Sequence, residues 1–155
     1  MSDITLTLER TIDAPTDAVW RVITDLEQWE TVLSGVSRIE RLAGFGYAIG
    51  TRWRETRTMF GGESTEEMEV VGIDEGRSTM IASEANGLAY RTEFTLEPTG
   101  EGATTLLRMR FGGSYLSPSW VQRVLRTLTS RIGLAVMRKA MQQDLHDIAA
   151  AAQAA

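Results

Sequence analysis

The chain has 155 residues, which fits a single domain over residues 1–155 with room for a sizeable core. Its lack of cysteine excludes disulfides and thiolate catalysis, and its one histidine excludes a histidine-rich metal site, so we expect no metal and no cofactor. The net charge of −5 argues against a nucleic-acid partner, and the absence of a signal peptide or a long apolar run predicts a cytoplasmic protein without an integral membrane segment.

The first predicted element is a strand that changes into a helix at Pro15. Apolar and polar residues alternate up to Ile12, which is the period of a half-buried strand. Proline suits the first position of a helix, and Asp17 faces the positive end of the helix dipole. The apolar stripe of this helix is Val19, Trp20, Ile23 and Leu26.

Turn signals then divide the middle of the chain into an antiparallel meander. They are Gly61-Gly62, Glu75-Gly76, Asn86-Gly87 and residues 98–102. Two-residue loops at the first three turns determine which residues lie opposite each other. The Gly61-Gly62 turn would pair Trp53 with Val70, Glu55 with Met68, Arg57 with Glu66 and Arg54 with Glu69. The Glu75-Gly76 turn would pair Val70 with Ile81 and Met68 with Ser83, and the Asn86-Gly87 turn would pair Ile81 with Thr92, Ser83 with Tyr90 and Thr79 with Phe94. The last turn would pair Phe94 with Leu107, Met109 with Thr92, and Phe111 with Tyr90. One face of this sheet is then apolar.

A long helix is predicted from residue 119 to about residue 149, with Pro118 at its start. Its apolar side is broad and includes Met137 and Met141, so the inward face of the sheet is the surface on which we expect it to pack. The alanine-rich residues 150–155 offer little to pack, and we expect them to fray.

The sequence from Ile12 to Trp20, with Asp25, Trp29 and the Ser34-Gly35-Val36 turn, resembles the START-like (SRPBCC) superfamily. The particular resemblance is to its polyketide cyclase/dehydrase and lipid-transport branch. It implies an α+β helix-grip fold, in which a curved antiparallel sheet of about seven strands wraps around a long C-terminal helix. Two short helices follow the first strand in this fold. Proteins of this kind enclose a cavity, and the resemblance places Trp29 and Leu33 at its mouth as gate residues.

We expect the ligand to contact the inward face of the sheet and the long helix. The predicted ligand-binding residues are Trp29, Leu33, Trp53, Arg57, Glu66, Met68, Ile81, Ser83, Thr92, Phe94, Met109, Phe111, Met137 and Met141.

Glu55 and Tyr90 are the candidate catalytic residues. A carboxyl beside Met68 and aromatic rings loses solvation and suits a general acid or base, while Tyr90 is placed to stabilise an enolate. In the alternative interpretation, an ion pair with Arg57 makes Glu55 a residue that supports the fold. Arg57 and Glu66 are in turn expected to form a cross-strand pair.

Three functions are compatible with these observations. The first is binding or transport of a hydrophobic small molecule, such as a lipid, a polyketide or an aromatic metabolite. The second is a cyclase or dehydratase that uses Glu55 as acid or base. The third is a protein-interaction module of the chaperone-activator kind. The fold does not separate them.

Overall fold

The structure is a computed structural model that describes residues 4–59, 61–85, 88–115 and 131–155. The strands are β1 (Ile4–Ile12), β2 (Val36–Ala43), β3 (Arg52–Met59), β4 (Gly62–Asp74), β5 (Ser78–Ala85), β6 (Leu88–Thr99) and β7 (Thr104–Tyr115). The described helices are α1 (Thr16–Thr24), α2 (Trp29–Val32) and α3 (Arg131–Ala154), with a 3-10 turn at Leu26–Gln28. All seven strands form one antiparallel sheet in the order β1-β7-β6-β5-β4-β3-β2.

The long helix α3 packs against the apolar face of this sheet and against α1. Its buried side includes Met141, Leu145 and Ile148, which belong to the same core cluster as Trp53 and Val70 of the sheet. The α+β helix-grip fold, with seven strands and two short helices after the first, is therefore confirmed.

The ends of the helices differ in detail from the ends that the sequence predicts. Pro15 precedes α1 instead of opening it, and its carbonyl accepts hydrogen bonds from the backbone N–H groups of Ala18 and Val19. Residues 119–130 of the predicted long helix lie outside the described residues. The tail expected to fray is helical through Ala154, because Ala152 is buried and the Gln153 side chain accepts a hydrogen bond from the Asp13 N–H.

The strand registers are confirmed for two hairpins and wrong by two residues for two others. β5 pairs with β4 and β6 as predicted. In the β3–β4 hairpin Met59 pairs with Gly62, because Gly61 takes the left-handed conformation (φ 75°) inside the turn. In the β6–β7 hairpin Thr99 pairs with Thr104 across a tight connection. The corrected pairs are Trp53 with Met68, Glu55 with Glu66, Arg57 with Ser64, Arg54 with Glu67, Phe94 with Met109, Thr92 with Phe111 and Tyr90 with Gly113.

The β4–β5 register is right although the predicted turn is too short. Asp74 pairs with Ser78, so the connection has three residues where two were predicted. An irregularity between Val70 and Gly72 shifts the strand by one residue and restores the pairing of Val70 with Ile81.

The predicted division into an inward and an outward face is confirmed. A shift by two residues keeps every side chain on its face, because side chains alternate with period two. Trp53, Ile81 and Met109 are buried, and Met68 and Thr92 are half-buried on the same face. Their outward neighbours Glu69 and Arg91 are exposed, and Arg54 is partly exposed. Among the described helices, none is both long and apolar enough to span a membrane.

Candidate functional site

A cavity of about 360 Å³ lies between the inward face of the sheet and α3. Its apolar wall consists of Val22, Ile23, Trp29, Val32, Leu33, Trp53, Met68, Ile81, Phe94, Met109, Phe111, Met137, Ala140, Met141 and Ile148. Its polar wall consists of Glu55, Arg57, Ser64, Glu66, Tyr90, Thr92 and Asp144. Every residue that the sequence predicts for the site lies in this wall except Ser83, which is half-buried elsewhere on β5. Their contact with a ligand stays a prediction.

The α2 side of the cavity is a well-packed wall. The Trp29 and Trp53 rings meet edge to face with their centroids 5.5 Å apart. The Trp29 indole N–H also donates to the Val22 carbonyl at 3.3 Å. Trp29 and Leu33 are both buried and line the cavity, and their role as gate residues stays a prediction.

The turn after α2 is attached to α3 by polar contacts. The Ser34 N–H and hydroxyl both donate to Asp147 Oδ2, at 2.9 and 2.7 Å. A Cβ atom on the next residue, Gly35, would lie 3.4 Å from Arg57 Nη1, so the guanidinium lies beside the turn. The turn thus lies next to Arg57 at the edge of the cavity.

Arg57 is the centre of a buried ion triad that joins β3 to α3. Its Nε donates to Glu55 Oε1 at 2.5 Å, and its Nη1 and Nη2 lie 3.1 and 2.9 Å from the Asp144 carboxylate oxygens. Burial opposes the charge of Arg57, but the Asp144 and Glu55 carboxylates outweigh burial and raise the pKa of the guanidinium. Burial raises the pKa of Asp144, and Arg57 only partly offsets this effect.

Glu55 is thus held in the ion pair with Arg57 that the alternative interpretation describes. Its second oxygen, Oε2, accepts a hydrogen bond from the Trp53 indole N–H at 3.2 Å. Because both oxygens already have donors, this conformation leaves Glu55 poorly placed to exchange a proton with a ligand. The expected cross-strand pair of Arg57 with Glu66 is wrong, since the register places Arg57 opposite Ser64 and its nitrogens are turned to the other carboxylates.

Among the carboxyls that line the described part of the cavity, Glu66 is the one without such a partner. It pairs with Glu55 across β3 and β4, and no donor among the described residues hydrogen-bonds to its side chain. Burial raises the pKa of Glu66, the charge of Glu55 raises it further, and Arg57 opposes both. Since none of the described residues donates a hydrogen bond to the Glu66 carboxyl, it can interact with a molecule in the cavity.

Tyr90 faces the same end of the cavity as Glu66. Its ring stacks on Phe111 with centroids 5.3 Å apart. Burial, and then the nearby charge of Glu66, raise the pKa of Tyr90 to about 12. The hydroxyl therefore stays protonated at neutral pH and can donate a hydrogen bond.

We expect Glu66→Gln to stabilise the protein at neutral pH. The pKa of Glu66 is raised in the folded state, so its ionisation costs stability as the pH rises through that folded-state pKa. Glutamine removes this cost, and the free energy of unfolding should exceed that of the wild type at neutral pH. The difference should vanish in acid, where Glu66 is protonated in both folded and unfolded chains.

Urea denaturation at several pH values measures this difference. Glu69→Gln is the matched control, because Glu69 lies on the same strand and is exposed on the opposite face. It should leave the pH dependence unchanged. A wild type that is as stable as Glu66→Gln at neutral pH would contradict the expectation.

Asp144 is the main site residue that the sequence analysis missed, together with Val22, Ile23, Val32, Ser64, Ala140 and Ile148. A signal was present: Met137, Met141, Asp144 and Ile148 are spaced by four, three and four residues, which places them on one face of a helix. Nearby His146 is exposed.

Comparisons with known proteins agree with this architecture. The sequence profile of the family described as polyketide cyclase/dehydrase and lipid transport matches residues 3–153. No curated protein matches the sequence significantly.

Solved structures with the same fold share little sequence identity with this chain. The protein TTHA0849 of Thermus thermophilus is 22% identical with a TM-score of 0.77, over 97% of this chain and 98% of that one. The Zhui aromatase/cyclase of Streptomyces sp. R1128 is 16% identical with a TM-score of 0.76, over 97% and 93%. The major latex-like protein 151 of Panax ginseng is 12% identical with a TM-score of 0.74, over 95% of both chains. The profile match over nearly the whole chain shows that this protein belongs to the polyketide cyclase/dehydrase and lipid transport family.

Proposed function

We propose that this protein binds a hydrophobic small molecule in the cavity between the sheet and α3, as a carrier or transport protein. The observation that supports this proposal most is the cavity itself. Its volume of about 360 Å³ lies within the range of small-molecule sites, roughly 300–1,000 Å³. Apolar side chains dominate its wall, and its charged groups come from β3, β4 and α3. Such a cavity removes apolar ligand surface from water while a few polar groups fix the orientation of the ligand.

Binding of Nile red, a neutral apolar fluorophore, tests this proposal. Its emission should rise on addition of the protein, and calorimetry at several temperatures should give a negative heat-capacity change, the robust sign of apolar burial. A native mass spectrum of the freshly purified protein would show whether a compound is retained, and its mass would indicate the chemical class. If Nile red does not bind and the native mass spectrum shows no retained compound, the carrier function is wrong and an interaction module becomes the better interpretation.

An enzymatic function is the second candidate, and the pair of Tyr90 and Glu66 favours it. Tyr90 offers a protonated hydroxyl, and Glu66 offers a carboxyl with a raised pKa and no hydrogen-bond donor among the described residues. Such a pair suits general acid–base chemistry at an enolisable ligand better than the hydrogen-bonded Glu55 does. The aromatase/cyclase with the same fold shows that this architecture accommodates catalysis. Incubating the protein with a recovered ligand would reveal turnover as a mass change that Tyr90→Phe slows.

A further inference from the structure

The charges in the cavity wall are unequal. Among the described residues that line it, the acidic groups are Glu55, Glu66 and Asp144, and the basic group is Arg57. Each of the three nitrogens of Arg57 lies within 3.1 Å of a carboxylate oxygen of Glu55 or Asp144. The guanidinium is therefore neutralised by the protein itself and is not available to bind the carboxylate of a ligand.

A ligand anion would meet an unfavourable field at this end of the cavity. It would add one more negative charge where carboxyl groups already outnumber the cation. Charges interact strongly there, because the walls are apolar and screening by water is weak. Fatty acids and other hydrophobic carboxylates are therefore disfavoured.

A ligand cation would meet the opposite situation. Glu66 has no hydrogen-bond donor among the described residues, and the charge of Glu55 makes its ionised form still less favourable. A positive head group beside Glu66 would compensate both effects. The stacked rings of Tyr90 and Phe111 line the same cavity, and aromatic faces attract cations.

We propose that the ligand of this cavity is a hydrophobic amine. Its protonated head binds the carboxylate of Glu66, and its apolar body fills the space between the sheet and α3. This inference rests on the proposed binding function and specifies the chemical class of its ligand. It assigns Glu66 as the residue that determines specificity for the head group.

Displacement of Nile red by decylamine, decanol and decanoate at neutral pH tests this proposal. The three probes share one apolar chain and carry a cationic, a neutral and an anionic head. Decylamine should bind at least about tenfold more tightly than decanoate, with decanol between them. In Glu66→Gln the affinity for decylamine should fall about tenfold, the affinity for decanol should stay unchanged and that for decanoate should rise. Glu66→Asp, which keeps the charge, should keep the preference.

Glu69→Gln is the control for net charge. It removes the same charge from the same strand on the exposed face, so all three affinities should match those of the wild type. If decanol binds but decanoate binds as tightly as decylamine, the amine proposal is wrong and the binding function stands. An equal loss of decylamine affinity in Glu66→Gln and Glu69→Gln would also overturn the assignment of Glu66. If none of the three probes binds, the binding function itself fails.

Discussion

Arg57→Met is expected to lower the free energy of unfolding by about 3–5 kcal/mol, because it leaves two buried carboxylates without their cation. The side chains of Glu55 and Asp144 are 3% and 6% exposed. Such positions are poorly solvated, and methionine offers no hydrogen bond in place of the guanidinium. The triad also joins β3 to α3, so its loss should loosen the wall of the cavity. Urea denaturation at neutral pH measures the loss.

The pH dependence gives an independent check on this result. Burial already raises the pKa of Asp144, and removal of Arg57 removes the opposing attraction, so the pKa should rise further in the variant. A carboxyl with a raised folded-state pKa lowers the free energy of unfolding of the protein as the pH rises through that pKa. The deficit of Arg57→Met relative to the wild type should therefore shrink as the pH falls.

Arg54→Met is the matched control. Arg54 lies on the same strand and also bridges two carboxylates, Glu40 and Glu67, but its side chain is 42% exposed. Loss of exposed ion pairs should cost less than about 1 kcal/mol. Equal losses in the two variants would show that burial of the triad has no special energetic consequence. Combining Arg57→Met with Glu55→Gln and Asp144→Asn should recover much of the loss, because neither carboxylate of the triad is then left charged without its cation.

The fold was predictable because its signals are local. Alternation of apolar and polar residues marks each strand, and the turn residues mark their ends. The errors in register also have a local cause. Gly61 and Gly62 both suit a turn, and only the structure shows that Gly61 takes the left-handed conformation while Gly62 opens β4. Each such error moved the pairing by two residues and left the inward face unchanged.

The polar part of the cavity was less predictable, because it depends on contacts between distant segments. Arg57 and Asp144 are 87 residues apart. The helical spacing of Asp144 with Met141 and Ile148 fits an inward position, whereas a charged side chain usually faces solvent. Only the guanidinium of Arg57 makes that burial tolerable. The register error also made the polar part of the cavity harder to predict, since it placed Met68 opposite Glu55 where the structure has Glu66.

Met109→Trp is expected to weaken Nile red binding on the order of 100-fold while the domain stays folded. Met109 lies between Leu8 of β1 and Phe94 of β6, and its side chain lines the cavity. An indole at this position would occupy space that the ligand needs. Because that space exists already, the added volume should cost about 1–3 kcal/mol of stability or less. Fluorescence titration measures the affinity, and urea denaturation measures the stability.

Leu107→Trp is the control that separates a cavity from a filled core. Leu107 lies two residues earlier on β7 and faces the same side, but it is fully buried and outside the cavity wall. The same enlargement should there force neighbouring side chains apart and destabilise the protein more than Met109→Trp does. If the two variants lose equal stability, or if Met109→Trp unfolds the domain, no space is available beside Met109. The binding function would then lose its main support, because a ligand needs the same space as the indole.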